Sequence, residues 1–115
     1  MASTFHGLTF DAYDAHAVAQ FWAAALGRDV APGASPERAE VVPDDGAPRL
    51  AFERVRPGGV VRNTLHLDLV TTDLERESER LVRLGARRVG AVGGTARWVS
   101  LTDPEGNAFD LVPAA

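Results

Sequence analysis

The sequence predicts an α+β fold built from two βαβββ modules in tandem. Three observations carry this. An alternating segment followed by an amphipathic stretch occurs twice, at the start of each half. Each amphipathic stretch is preceded by an aspartate and followed by a glycine, the residue types that cap helices at their two ends. The remainder of each half breaks into short strand-like runs separated by Pro- and Gly-rich turns.

The elements follow in chain order. Residues 4–11, TFHGLTFD, alternate as a strand, with Leu8 and Phe10 on one face and Gly7 and Thr9 on the other. Asp14 then caps a helix in which Val18, Phe21, Trp22, Ala25 and Leu26 recur at helical spacing, and Gly27 closes it. The stretch 29–48 is rich in Pro, Ala and Gly, with a short strand over 39–42 and a turn at Asp44, Asp45 and Gly46. RLAFERV predicts a strand over 49–55, and Arg56-Pro57-Gly58-Gly59 is the loop after it.

The pattern restarts at Asn63. In NTLHLDLV, Leu65, Leu67 and Leu69 take one face and His66 and Asp68 the other. Asp73 caps a second helix with Leu74, Leu81 and Leu84 as its apolar stripe, and the run of Glu and Arg between them is a solvated outer face. Gly85 ends it. Three strands follow, over 87–89, 97–102 and 108–112, separated by a turn at Gly93-Gly94 and by Asp103-Pro104-Glu105-Gly106. The glycine pair precedes no helix and is therefore no phosphate loop.

The halves superpose as a repeat. Placing Gly7 on His66 also places Leu8 on Leu67, Phe10 on Leu69 and Asp14 on Asp73, and one deletion brings Leu26-Gly27 onto Leu84-Gly85. A repeat of about 58 residues present twice is not a solenoid but a duplicated module. The chain is expected to form a single domain over 1–115, with module 1 at about 1–60 and module 2 at about 61–115.

Composition excludes several functions. The 115 residues are 45% hydrophobic and 24% charged, ordinary for a globular protein. The 12 basic residues are all arginine, the net charge is −4, and no basic stripe tracks a phosphate backbone, so nucleic acid is not an expected partner. Cysteine is absent, which leaves histidine and carboxylates as the available metal ligands. No apolar run approaches the roughly 20 residues that span a bilayer. A cytoplasmic protein with no membrane partner is expected.

The tandem modules, the HLDL strand leading into Asp73 and its helix, and above all the ending WVSLTDPEGNAFDLV resemble the vicinal oxygen chelate superfamily. That superfamily includes glyoxalase I, bleomycin resistance proteins, fosfomycin resistance enzymes and extradiol dioxygenases. Within it the chain is most similar to the small glyoxalase-like proteins. The resemblance implies a U-shaped, partly open mixed sheet with helices on the outer face, ligands bound in its concave cleft, and a homodimer.

The superfamily's metal ligands come from the first and last strand of each module. Carried over by position, these are Gly7, which offers no ligand, then Glu53, His66 and Asp110. A histidine with two carboxylates suits Fe, Mn, Ni or Zn and leaves positions open for substrate oxygens. The resemblance therefore implies either a metal-dependent lyase, isomerase or dioxygenase acting on a small oxygen-rich molecule, or a metal-free bleomycin-resistance-type protein that sequesters its ligand. His66 can equally serve as a polar residue bonded to Asp68 or Asp110, and Glu53 as a solvated residue paired with an arginine. Asp110 has the strongest claim, because Ala108 and Val112 share its face and leave it few local partners. Val99 and Leu101 face the core, so Trp98 and Ser100 face the ligand side, with Asp68 and Thr9 as further ligand contacts. Trp98 either stacks on a flat ligand or fills a dimer interface.

Overall fold

A computed structural model describes residues 2, 5–93 and 97–114, with only the backbone of Val92. Gly94, half of the expected glycine turn, and Thr4, in the expected first strand, lie outside the described residues. The elements are β1 (Gly7–Ala12), α1 (Ala15–Leu26), β2 (Arg38–Val41), β3 (Arg49–Arg54), β4 (Leu67–Thr71), α2 (Leu74–Leu84), β5 (Arg87–Val92), β6 (Trp98–Thr102) and β7 (Ala108–Pro113). The fold is α+β, and the chain divides into two compact units, Met1–Arg62 and Asn63–Ala115.

In the first unit the sheet order is β1-β3-β2, with β1 parallel and β2 antiparallel to β3. Helix α1 packs on the sheet face carrying Phe10, Ala12, Leu50, Phe52, Ala39 and Val41, all buried. The expected stripe on α1 is the buried one, except that Leu26 is only half-buried. Asp14 accepts from the Ala17 N–H at 3.1 Å, and Gly27 at φ 65° returns the chain through N–H bonds to Ala23 and Ala24 carbonyls. Phe10 and Phe52 stack at 5.5 Å beneath the helix. Beyond the cap, Arg28 donates to the carbonyls of Val42 and Pro48, both at 2.6 Å, tying the helix exit to the end of β2 and the lead-in of β3.

One expected element is reduced. Three strands are expected after each helix, but among the described residues only two follow α1. The position of the missing strand is marked by a single antiparallel bridge, Val30 to Val41, with Ala31 N–H donating to Glu40 and Val42 N–H to Asp29. Pro32 has no N–H to continue the ladder, and Gly33 turns away at φ 89°.

The second unit has the full set, ordered β4-β7-β6-β5. Strand β4 is parallel to β7, and the remaining pairs are antiparallel. Leu101, Phe109, Leu111 and Val99 are buried on the face under α2, together with Leu74, Ser78 and Leu81 of the helix. Leu84 departs from the expected stripe: it is 37% exposed, and Ser78 takes the place between Leu74 and Leu81. At 100° per residue Leu84 stands about 80° off the Leu74 line, whereas positions 78 and 81 fall within about 40° of it. Ser78 is tolerated in the core because its hydroxyl donates to the Glu75 carbonyl at 3.0 Å.

Strand β4 also starts later than the alternation suggests. Asn63 to His66 precede it, and Leu65 is 61% exposed. The partner β7 begins only at Ala108, after a tight turn, so residues before His66 have no ladder to join. That turn is organised by Asp103, 2% exposed, whose carboxylate accepts from the N–H groups of Glu105 and Asn107, both at 2.9 Å, and from Asn107 Nδ2 at 2.8 Å. Asn107 Oδ1 in turn accepts from Asn63 at 2.7 Å, and Gly106 sits at φ 92°. Pro104 and Gly106 permit the turn, and the buried carboxylate holds it.

Candidate functional site

Opposite α2, the second sheet presents a face whose composition is set by register. Asp68 on β4 pairs directly with Asp110 on β7, and Asp110 pairs with Ser100 on β6, so the three side chains form one row across three strands. His66 stands two residues before Asp68 and projects to the same face. Its Nδ1 lies 3.4 Å from Asp68 Oδ1. Ser100 Oγ donates to Asp110 Oδ1 at 2.8 Å, which orients that carboxylate. One ligating atom from each of His66, Asp68 and Asp110 lies within 4.8 Å of the others.

His66 and Asp68 are exposed and Asp110 is half-buried. Two carboxylates facing each other on neighbouring strands repel, and the imidazole beside them offsets this only when protonated. A donor set of one imidazole nitrogen and carboxylate oxygens is the kind that divalent Fe, Mn, Ni or Zn accepts. The residues present therefore fit a cation. The sequence pattern already held the signal for Asp68: a His-x-Asp step in a strand puts both side chains on one face.

Glu53 lies in the first unit, where its carboxylate accepts from Arg38. Repeat and register together place it differently from the sequence alignment. Leu8 pairs with Leu50 as Leu67 pairs with Phe109, so Ala51 is the counterpart of Asp110, and Glu53 that of Val112. Thr9, the counterpart of Asp68, is exposed and pairs with Ala51.

Gly7 occupies the position of His66, and the reason for glycine is steric. A Cβ there would stand 2.8 Å from the Arg49 carbonyl oxygen, a distance at which the backbone would have to shift. The rest of this face is an ion-pair lattice. Arg38 pairs with Glu40 at 2.9 Å and with Glu53, and Arg49 pairs with Glu40 at 3.0 Å. Partial burial works against the Glu40 carboxylate, but the hydrogen bonds and charges of Arg49 and Arg38 outweigh it and hold its pKa below the usual 4.5. The hydrogen bond to Glu40 leads the causes that hold the Arg38 guanidinium above its usual range.

Trp98 is half-buried on the same face as Ser100, while Val99 and Leu101, their alternates, are buried.

No curated protein matches the sequence. Solved structures do. An antibiotic-binding protein, TnmS3, from Streptomyces sp. CB03234 is 23% identical, with 100% of this chain and 99% of that chain covered and a TM-score of 0.69. The fosfomycin resistance protein FosX from Mesorhizobium loti is 15% identical, with 100% and 95% covered and a TM-score of 0.72. The bleomycin-binding protein of Streptomyces verticillus, solved with copper(II)-bleomycin, is 19% identical over 100% of both chains, with a TM-score of 0.61. At these identities the likeness establishes the fold. The sequence profile described as a glyoxalase-like domain matches residues 7–112, nearly the whole chain, and the protein belongs to the glyoxalase-like domain family.

Proposed function

We propose that this protein binds a small oxygen-rich molecule on the face of the second sheet through a divalent cation held by His66, Asp68 and Asp110. The observation that carries the reading is the convergence of three ligating atoms within 4.8 Å, two of them from carboxylates in direct register. A cation turns the repulsion between these carboxylates into shared coordination. Ser100 orients Asp110 from the neighbouring strand, the kind of support that ligating carboxylates use. When bound, Fe, Mn, Ni or Zn would supply Lewis-acid polarisation of a substrate oxygen, the chemistry of a lyase, an isomerase or a dioxygenase. Asp68 takes the third place in this reading, since Glu53 already has its charge matched by Arg38.

A second reading rests on Gly7. With that position closed by the Arg49 carbonyl and Ala51 standing at the counterpart of Asp110, two of the four ligand positions carry no donor, and the carboxylate pair can instead receive a cationic ligand without metal. The protein would then sequester a drug or metabolite. Proteins of this fold include both a fosfomycin resistance protein and a bleomycin-binding protein, and fold does not choose between functions.

The deciding experiment is metal content after purification without chelators, followed by titration with Ni, Mn, Zn and Fe(II). Stoichiometric binding that is lost in both His66→Ala and Asp110→Asn supports the cation. No binding to any of these ions leaves sequestration. The proposal includes a homodimer and a cytoplasmic location, both in keeping with the family resemblance. Strands β1 and β4 each end their sheets and offer edges for association. A monomer by size exclusion with light scattering would count against the dimer. Among the described residues no helix is long and apolar enough to cross a membrane.

A further inference from the structure

A hollow at the carboxyl ends of β1 and β3 belongs to neither polar face. Beyond Arg54 the chain arches over residues 55–61, and both feet of the arch are fastened just past β1. The Val55 N–H donates to the Ala12 carbonyl at 2.9 Å, and the Val61 N–H donates to the Tyr13 hydroxyl at 3.1 Å. Between the feet, Pro57 and Gly58, the latter at φ 79°, take the centre of a turn closed by the Gly59 N–H on the Arg56 carbonyl at 2.8 Å. Beside this arch lies an open cavity of about 420 Å³, within the range of small-molecule sites. It is lined by Tyr13 and by the run from Arg54 to Gly59, all in the first unit.

The charge of this cavity is one-sided. Its lining holds two arginines and no carboxylate, in a chain of net charge −4. Two other hollows set an arginine against an acid, Arg38 with Glu40 and Arg87 with Asp103. Arg54 reaches Glu37, which is outside the lining, through Nη2 alone at 3.2 Å. Arg56 is exposed, and its side chain has no ion pair or hydrogen bond among the described residues. Arginines two apart in extended chain fall on one side of it, where like charges repel until an anion lies between them. Gly58 adds a backbone N–H that makes no hydrogen bond among the described residues.

We propose that this cavity is a second binding site, for an aromatic carboxylate. The carboxylate bridges Arg54 and Arg56, whose planar forks match its two oxygens, and the ring lies against Tyr13, Val55 and Pro57. Glu37 offsets one of the two positive charges, so a monoanion neutralises what remains and a phosphate dianion exceeds it. Because the arch is already tied to β1 at both feet, little ordering is needed on binding. The site stands independently of the cation reading, which concerns the second sheet.

The test titrates the isotope-labelled full chain with benzoate, with acetate and phenyl phosphate as comparison probes, and follows the backbone amide signals. Benzoate is expected to shift the signals of Tyr13, Arg54, Val55, Arg56, Gly58 and Gly59 together. It should bind about tenfold more tightly than acetate, from the apolar area that its ring covers, and more tightly than phenyl phosphate. Arg56→Gln, at an exposed position where folding is not at stake, should weaken benzoate about tenfold. Arg62→Gln, an exposed arginine outside the lining, should leave it unchanged. Glu37→Gln should move the preference toward phenyl phosphate. Equal losses in Arg56→Gln and Arg62→Gln would show attraction to arginine in general and overturn the site. Signals shifting only in the second unit, or benzoate binding no better than acetate, overturn it as well. Tighter binding of phenyl phosphate by the unaltered protein overturns the assignment to a carboxylate.

Discussion

The two sheets share a backbone plan and have taken opposite courses with their polar faces. In the first, the row Thr9, Ala51 and Glu40 is followed by Asp11, Glu53 and Arg38; in the second, the matching rows are Asp68, Asp110 and Ser100, then Val70, Val112 and Trp98. The first face matches its charges internally, through Arg38, Glu40, Arg49 and Glu53. The second collects two carboxylates and an imidazole that, among the described residues, have a serine and one another as partners, and sets an apolar row beside them. A duplicated module thus divides the work: one copy is electrostatically closed, and the other leaves ligating and apolar groups available. Glycine at position 7 and alanine at 51 give the first copy no side-chain donor at the counterparts of His66 and Asp110.

The largest expected effect concerns the turn that delivers Asp110 to its row. Asp103→Ala leaves the N–H groups of Glu105 and Asn107 and the Asn107 amide without their acceptor, at a turn whose Asp103 and Asn107 side chains are buried. Unsatisfied buried donors cost about 1–3 kcal/mol each, and partial access to water reduces the sum, so a loss of about 3–4 kcal/mol is expected by denaturant unfolding. Asp44→Ala in the exposed turn of the first unit should cost less than about 0.5 kcal/mol. Equal losses in the two would show that the buried carboxylate is not what holds β7 in register.

The next test attempts to make the first face like the second. Gly7→His restores the residue type found at position 66, but its Cβ meets the Arg49 carbonyl at 2.8 Å. A destabilisation of about 1–3 kcal/mol is expected, as for other overpacked sites, with no gain in Ni or Zn binding. A variant as stable as the parent that binds additional metal would show that the closure is not steric.

Much of this was legible in the sequence and some was not, for identifiable reasons. The helices were marked at both ends by Asp14, Gly27, Asp73 and Gly85, because caps are local chemistry. The buried alternation of Val99 and Leu101, and hence the facing of Trp98 and Ser100, followed from the period of two. That same period hid the position of Glu53: a shift of two residues keeps every side chain on its face, so alternation cannot tell residue 51 from 53, and only the pairing of β1 with β3 does. Gly7 was visible as a gap, but its cause, a carbonyl on a strand forty residues away, was not. Ser78 in the core and the three donors on Asp103 depend on hydrogen bonds that leave no hydropathy signal.

A smaller effect isolates the support behind the ligating row. Ser100→Ala removes the hydroxyl that orients Asp110 while leaving both faces of β6 packed. Metal affinity is expected to fall about tenfold, the lower end for losing such a partner, with unfolding free energy changed by less than about 1 kcal/mol. Ser100→Thr, which keeps a hydroxyl, should recover most of the affinity. Loss of affinity in both variants alike would point to packing rather than to orientation of the carboxylate.

The smallest effect belongs to the closed face and has a sign fixed by titration. Glu40 has a folded pKa below its usual 4.5, because Arg49 and Arg38 favour the ionised carboxylate more than burial disfavours it. A group with a depressed folded pKa contributes stability that is fully present above the unfolded value and is lost as pH falls through the folded one. The parent protein should therefore lose this contribution below about pH 4.5, and Glu40→Gln should show a shallower acid decline. Near neutral pH the variant should be less stable by no more than about 1 kcal/mol, since the pair is partly solvated. Parallel acid limbs in the two proteins would mean that the lattice on the first sheet leaves its charges no better matched than those on the second.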